Sequence, residues 1–274
     1  MNFFRKKERK KAELPEDSEA LGGAQHLLFE TLPVRVDGFD ELLADAGFER
    51  GSTILIAGGT GTGKTTFCVE TIYNAALSGE KCVYITFEEL PEKIIFHMKK
   101  NYGWDIEKLA KQKKIAFLKV DPLDIVRRVE AVLEQKHGNL RIEVSSLEFP
   151  FEPDWVVIDS LSVLAIAFKQ DETYRLYLAE LFDYLNALAS VNLVISETEQ
   201  SPETFSRSGI EEFLADGVIV FYNLKDRKER ETALEILKMR SGKHAKKIVP
   251  YVLEKNGFVV LKSGAKKIDR TNTA

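Results

Sequence analysis

Short apolar runs and helical periodicities alternate through the middle of this chain. Thr53-Ile54-Leu55-Ile56-Ala57 is a continuous apolar run bounded by glycines, which reads as a strand buried on both faces. A helical pattern follows from Lys64 to about Ser78 and is ended by Gly79. Cys82 to Thr86 is a second strand, and Pro91 opens a helix that runs to about Tyr102. Ile115 to Lys119 is a third strand, Leu123 to Gln135 is helical, and Trp155 to Asp159 is a fourth strand ending in a carboxylate. From Asp171 to Ser190, Tyr174, Tyr177, Leu178, Leu181, Leu185 and Leu188 step by three and four, as on one face of a long helix. Strand-like runs then come in series: Leu193 to Ser196, Val218 to Tyr222, Thr232 to Lys238, Ile248 to Leu253 and Phe258 to Leu261. The alternating part predicts an α/β fold, a mainly parallel sheet flanked by helices. The closing strands predict an antiparallel extension at one edge. The span from Gly138 to Pro153 reads as an ordered loop or hairpin that the pattern does not resolve.

Composition adds boundaries. With 274 residues, 44% of them hydrophobic, the chain is long enough for one large α/β domain. The basic run of Arg5, Lys6, Lys7, Arg9, Lys10 and Lys11, followed by Glu16, Asp17 and Glu19, cannot bury much apolar surface. Residues 1–24 are therefore expected to be a disordered tail, 25–262 the folded domain and 263–274 a second flexible tail. A net charge of -4 argues against a dedicated nucleic-acid binder, though not against a local basic patch. Cys68 and Cys82 fit neither a zinc site nor a redox pair and read as buried free thiols, which suits a cytoplasmic location. No apolar run approaches the ~20 residues of a membrane span.

The octet Gly58-Gly59-Thr60-Gly61-Thr62-Gly63-Lys64-Thr65 carries the chemistry. It matches G-x-x-x-x-G-K-[ST] and sits where that pattern must sit, after a buried strand and before a helix. Glycines let successive N–H groups turn toward a triphosphate, and the helix opening at Lys64 adds its positive dipole end. Gly59 to Thr66 are expected to bind ATP, with Lys64 on the β- and γ-phosphates and the Thr65 hydroxyl on Mg2+. Asp159, at the carboxyl end of an apolar strand, is the candidate second magnesium residue. Hydrolysis also needs a group that activates water. The residue after Asp159 is Ser160, so the base is sought at the end of the second strand, in Phe87-Glu88-Glu89. Adjacent carboxylates at a strand end face opposite ways; Glu88 is the favoured base, with Glu89 assisting.

These residues resemble the KaiC family, a branch of the RecA-like ATPases. The likeness runs from about Leu32 to Leu261. It takes in Val36-Asp37-Gly38-Phe39-Asp40-Glu41-Leu42-Leu43, the phosphate loop, Phe87-Glu88-Glu89 and Val156 to Ser160. It closes with Glu211 to Val218, Leu237-Lys238-Met239-Arg240 and His244. The resemblance implies a RecA-like core, ATPase activity and a homohexameric ring with nucleotide between neighbours. It also implies that Lys238, Arg240 and His244 reach the neighbouring subunit's nucleotide. Lys238 and Arg240, two apart on a strand, share a face. A cation supplied in trans stabilises transition-state charge, and a head-to-tail interface normally closes into a ring. Two departures limit the transfer. The circadian-clock member of the family carries two fused copies of this domain, and this chain carries one. Where that member places its autophosphorylated Ser/Thr pair, this chain has Glu212 and Phe213, which cannot accept phosphate, so no clock-type autokinase cycle is expected.

Glu197-Thr198-Glu199-Gln200 is a further candidate, either a γ-phosphate sensor or a polar loop. His26, His97 and His137 lack partners at ligand spacing. Two rival readings stay open. One is a RadA-like DNA-dependent ATPase, for which Lys225, Arg227, Lys228 and Arg230 offer basic material. The other is a sensor that binds ATP without hydrolysing it.

Overall fold

Alternation of side chains across each strand builds the two cores of this protein. The structure, a computed structural model, describes residues 30–135, 147, 149–198, 205–206, 209–226, 229–240 and 242–262. A two-stranded ribbon, Thr31–Leu32 (β1) with Phe48–Glu49 (β2), precedes the main sheet. Thr53–Gly58 (β3) leads through the glycine loop into helix Lys64–Leu77 (α1). Cys82–Thr86 (β4), helices Pro91–Tyr102 (α2) and Ile106–Lys111 (α3), Ile115–Lys119 (β5) and helix Pro122–Gln135 (α4) come next. Trp155–Asp159 (β6), helices Leu161–Ala167 (α5) and Asp171–Ala187 (α6), and Val191–Glu197 (β7) follow. The short helix Glu211–Leu214 (α7) precedes Gly217–Asp226 (β8), Glu229–Met239 (β9), Val249–Glu254 (β10) and Gly257–Val260 (β11).

Among the described residues, nine strands form one sheet in the order β11-β10-β9-β8-β3-β7-β6-β4-β5. From β8 to β5 every pairing is parallel, and β9, β10 and β11 add antiparallel neighbours at one edge. The predicted architecture is therefore present. On one face Ile54, Ile56, Tyr84, Trp155, Val157 and Leu193 pack under α1, α2 and α3. On the other, Leu55, Ala57, Val83, Val156, Ile158 and Val194 pack under α4, α5 and α6. The residues of β3 alternate between these two cores. Burying each such Leu or Ile side chain is worth about 1.5–3 kcal/mol. Cys68 and Cys82 are buried free thiols, and burial pushes both well above the usual thiol value.

Three helices escaped the sequence reading: α3, α5 and α7. The first carries a readable signal, since the Asp105 carboxylate accepts the Lys108 N–H and caps it. The second is a short apolar stretch without polar periodicity. The long helix α6 stops at Ala187 rather than Ser190, because Leu188 is already extended toward β7. Most of the stretch from Gly138 to Pro153, the two proposed tails, His26, His137, Glu199 and Gln200 lie outside the described residues.

The edge hairpin of β10 and β11 folds back against α1. Glu70 of α1 is buried, and its carboxylate accepts the Phe258 N–H at 2.7 Å. Gly257 faces that carboxylate, and a Cβ there would lie 2.5 Å from Glu70 Oε2. Burial raises the Glu70 carboxyl from 4.5 to about 7, with the nearby Asp37 charge adding to the rise and the Phe258 N–H opposing it. A carboxyl raised in the folded state binds its proton more tightly there than in the unfolded chain. Its stabilisation is complete below pH 4.5 and is lost as pH rises through about 7. The shift corresponds to on the order of 3 kcal/mol. Glu70→Gln keeps an acceptor for Phe258 and should remove this dependence. Thermal melts at pH 5 and pH 8 are expected to lie closer together for the variant than for the wild type.

Candidate functional site

The glycine loop leaves the carboxyl end of β3 between β7 and β8, in the middle of the sheet. Gly58 marks the exit with φ 153°, and a Cβ there would meet the Phe221 carbonyl oxygen at 2.5 Å. Gly61 (φ 78°) and Gly63 (φ 84°) take left-handed conformations that L side chains rarely adopt. Thr62 closes the loop, its hydroxyl donating to the Gly59 carbonyl at 2.8 Å. Gly63 begins α1 without any side-chain cap. The first N–H groups of a 14-residue helix are donors of the kind that suit an anion. Thr60 is exposed and Thr66 is half-buried in the first turn of α1.

The Lys64 ammonium is buried against the loop, donating to Gly58 O at 2.7 Å and Gly59 O at 2.9 Å. Burial pulls it below the usual lysine value, while the charges of Glu197 and Asp159 act the other way. One residue on, the Thr65 hydroxyl donates to Asp159 Oδ2 at 3.0 Å. The phenol of Tyr84 donates to the same oxygen at 2.5 Å. Burial raises the Asp159 carboxyl, against these two hydrogen bonds and the Lys64 charge. Burial also holds the Tyr84 hydroxyl well above the usual phenol value. Thr65 and Asp159 present hard oxygen donors beside the helix N-terminus, a set that suits magnesium, which takes one or two protein oxygens and keeps water and phosphate oxygens for the rest.

The turn after β4 lies beside this group, because Thr86 pairs with Asp159 and the Phe87 N–H donates to the Asp159 carbonyl at 2.8 Å. The Thr86 hydroxyl accepts the N–H groups of Glu88 and Glu89 and donates to the Glu89 carbonyl, which folds the turn tightly. The Glu89 side chain pairs with Lys93 at 3.0 Å, whereas Glu88 is exposed. Glu197 ends β7 in register with Gly58, and the Thr198 N–H donates to the Gly58 carbonyl at 3.1 Å.

Lys238 and Arg240 lie together, as their spacing predicts, although Arg240 is one residue past the end of β9. Lys238 donates to the carbonyls of Glu212 (2.9 Å) and Ala215 (2.6 Å), and Arg240 to that of Phe213 (2.8 Å). Arg240 also pairs with Asp216 at 3.3 Å. Burial lowers the Lys238 ammonium, with Arg240 adding to the fall and Asp216 opposing it. His244 lies in the loop that follows β9. Its backbone bridges Leu43, and its Nδ1 is buried without a hydrogen-bond partner among the described residues. Glu212 accepts the Phe205 N–H at 2.8 Å and the Ser206 hydroxyl. Of the basic residues that favour a DNA-dependent reading, Arg227 and Lys228 lie outside the described residues.

Sequence reasoning missed two residues. Tyr84 reads as core within an apolar strand, and only its register against β6 brings it to Asp159. Tyr251, on the edge hairpin, donates its hydroxyl to the Thr62 carbonyl inside the loop.

A parallel sheet with this strand–glycine loop–helix unit, its lysine, and an aspartate at a nearby strand end defines a nucleotide-binding domain of the RecA-like class. The chain belongs to the KaiC ATPase family, whose model matches residues 32–265. It is 27% identical over 260 residues to the circadian clock oscillator protein KaiC of Prochlorococcus marinus, covering 93% of this chain and 51% of that protein. The KaiC of Synechococcus elongatus is 26% identical over 251 residues, covering 91% and 48%. The chain thus spans about half the length of these curated relatives. A crystal structure of a KaiC-like protein from the hyperthermophilic archaeon Pyrococcus horikoshii OT3 superposes with a TM-score of 0.70. It is 33% identical, and the match covers 85% of this chain and 100% of that one. Family membership supports ATP binding. No helix among the described residues is long and apolar enough to cross a membrane.

The left-handed Gly63 adjoins the Leu253 side chain, which lies 3.3 Å from where a Cβ would stand. Gly63→Ala is expected to cost roughly 1–2 kcal/mol for the left-handed backbone alone, plus a shift of Leu253. Urea denaturation should show this as a lower midpoint with an unchanged slope.

Proposed function

We propose that this chain is a magnesium-dependent ATPase that works as a nucleotide-gated, cytoplasmic regulatory ring, without clock-type autophosphorylation. The observation that carries the reading is the convergence of Lys64, Thr65 and Asp159 at the uncapped start of α1. The amides of Gly59 to Thr66 and the Lys64 ammonium, released from the Gly58 and Gly59 carbonyls, hold the polyphosphate. Thr65 and Asp159 hold the metal. Magnesium bound there would neutralise phosphate charge as it develops in the reaction. Glu88 orients the attacking water and takes its proton as ADP leaves. Its exposure at the turn beside Asp159 supports that role, and the pairing of Glu89 with Lys93 supports a lesser part for Glu89.

The trans role of the cations is supported by the register of the sheet. Met239 pairs with Gly217, which pairs with Ile54, whereas the loop leaves from Gly58 beside Phe221. Lys238 and Arg240 therefore sit at the opposite end of β3 from their own loop, about 13 Å away along the strand at 3.3 Å per residue. A nucleotide they serve belongs to a neighbour. Arg240, with 55% of its side chain exposed, is the better placed to reach it. Lys238, turned onto three backbone carbonyls, is better placed to hold that edge in shape. His244 completes the edge through its loop. The engagement of Glu212 with Phe205 and Ser206 supports a structural rather than phospho-accepting part for that position.

Three experiments test the reading. Calorimetry should show ATP-magnesium binding to the wild type, with affinity weakened more than about 100-fold in Lys64→Met. Glu88→Gln should bind ATP normally and release phosphate about 10²–10⁴-fold more slowly. An intact chain without ATP affinity sinks the proposal, and unchanged release from Glu88→Gln moves the base elsewhere. Arg240→Ala should slow turnover by roughly 10³-fold. Mixing it with Lys64→Met should restore activity, because each variant supplies what the other's interface lacks. A mixture no faster than its parts would place the cation in cis.

A further inference from the structure

Tyr84 lies in the middle of the most buried part of β4, with no exposed surface, yet it carries a hydroxyl. A phenylalanine would fill the same space. A buried hydroxyl is costly unless it is hydrogen-bonded, and here its partner is Asp159 Oδ2 at 2.5 Å. The ring stacks on Phe117 of β5, with centroids 4.9 Å apart and planes 21° apart. This fixes the direction in which the hydroxyl points. Register explains the reach. Tyr84 pairs with Val157 and Thr86 with Asp159, so tyrosine and aspartate are diagonal neighbours on one face, within range of an aromatic side chain. The backbone of Asp159 is held from the same strand by the Phe87 N–H.

Both hydrogen bonds to the Asp159 carboxylate, from Tyr84 and from Thr65, fall on Oδ2. Oδ1 has no partner among the described residues. Without the phenol, the threonine hydroxyl alone would hold the carboxylate. The oppositely charged Lys64 ammonium is close enough to act on it, and a direct pair between them would occupy the phosphate lysine and the metal carboxylate together. In the structure Lys64 is instead bonded to Gly58 and Gly59.

We propose that Tyr84 is a positioning residue: it clamps Oδ2 of Asp159, keeps the carboxylate off Lys64, and presents Oδ1 to the magnesium of the bound nucleotide. The inference rests on the reading of Asp159 as the metal-holding residue. Partners that orient a ligating carboxylate typically account for 10–100-fold in metal affinity.

The test uses the full chain and Mn2+ as a spectroscopic probe, titrated into ATP-loaded protein and followed by electron paramagnetic resonance. Tyr84→Phe should weaken Mn2+ binding at least about 10-fold. ATP affinity in excess EDTA and the melting temperature should stay near those of the wild type. Asp159→Asn, run in parallel, should weaken Mn2+ binding at least as much. If Asp159→Asn weakens the metal and Tyr84→Phe does not, the role of Tyr84 is overturned while that of Asp159 stands. If neither weakens it, both fall. A Tyr84→Phe chain that loses stability and metal-free ATP affinity with no separate change in Mn2+ binding would show that the tyrosine only packs.

Discussion

A polyphosphate can be held only where several N–H groups and a cation converge and no anion answers that cation first. The arrangement around α1 meets this condition by dividing the work. Lys64 is satisfied by two neutral carbonyls, Gly58 O and Gly59 O, which a phosphate can displace without breaking an ion pair. Asp159, one of two carboxylates whose charge acts on Lys64, is bonded to two hydroxyls instead. Both buried charges are strained in the same sense: burial pulls the ammonium down and pushes the carboxyl up. A ligand carrying negative phosphates with a divalent cation would relieve both at once. Charge-assisted hydrogen bonds are the stronger kind, and exchanging carbonyls for phosphate oxygens gains that strength at the loop.

The loop needs a rigid wall as well as a charge, since left-handed glycines make it intrinsically soft. That wall is the β10–β11 hairpin. Tyr251 donates to the Thr62 carbonyl, Leu253 and Phe258 abut Gly63, and Phe258 is tied through its N–H to Glu70 of α1. Phe258 and Tyr251 stack at 4.3 Å, and both reach Phe221, the residue beside the loop exit. The hairpin therefore touches the phosphate loop, its helix and, through Phe221, the strand beside the loop's exit. Sequence gave only half of this. The hairpin's strands are plain in Ile248 to Leu253 and Phe258 to Leu261, but which face of the sheet they would cover is a tertiary fact.

The same division runs through the rest of the molecule. The loop octet is legible because glycine, lysine and threonine are each required by local conformation or chemistry at fixed offsets. The apolar strands are legible because burial on both faces removes polar alternation. Tyr84 was invisible for that very reason: in a strand where every residue is buried, a tyrosine looks like core, and its hydroxyl acquires meaning only through the pairing of β4 with β6. Helix α7 was hidden by its length, four residues being too few for periodicity. The surroundings of His244 are likewise tertiary: a backbone bridge to Leu43 sets its place in the loop after β9.

The sheet's length sets the last constraint. Parallel strands put the loop at their carboxyl end, and an antiparallel β9 returns its own last residues to the amino end, beside Gly217 and Ile54. A cation carried on that return cannot be near the loop of the same chain while the sheet keeps its register. Shifting register by one would turn every side chain of β9 to the wrong face, expelling Leu234 and Ile236 from the core they share with Ile54 and Phe67. The core thus fixes the separation. If the proposed cation is needed at the γ-phosphate, a single chain holds both halves of a catalytic site but cannot bring them together, and turnover would depend on how a neighbour is seated.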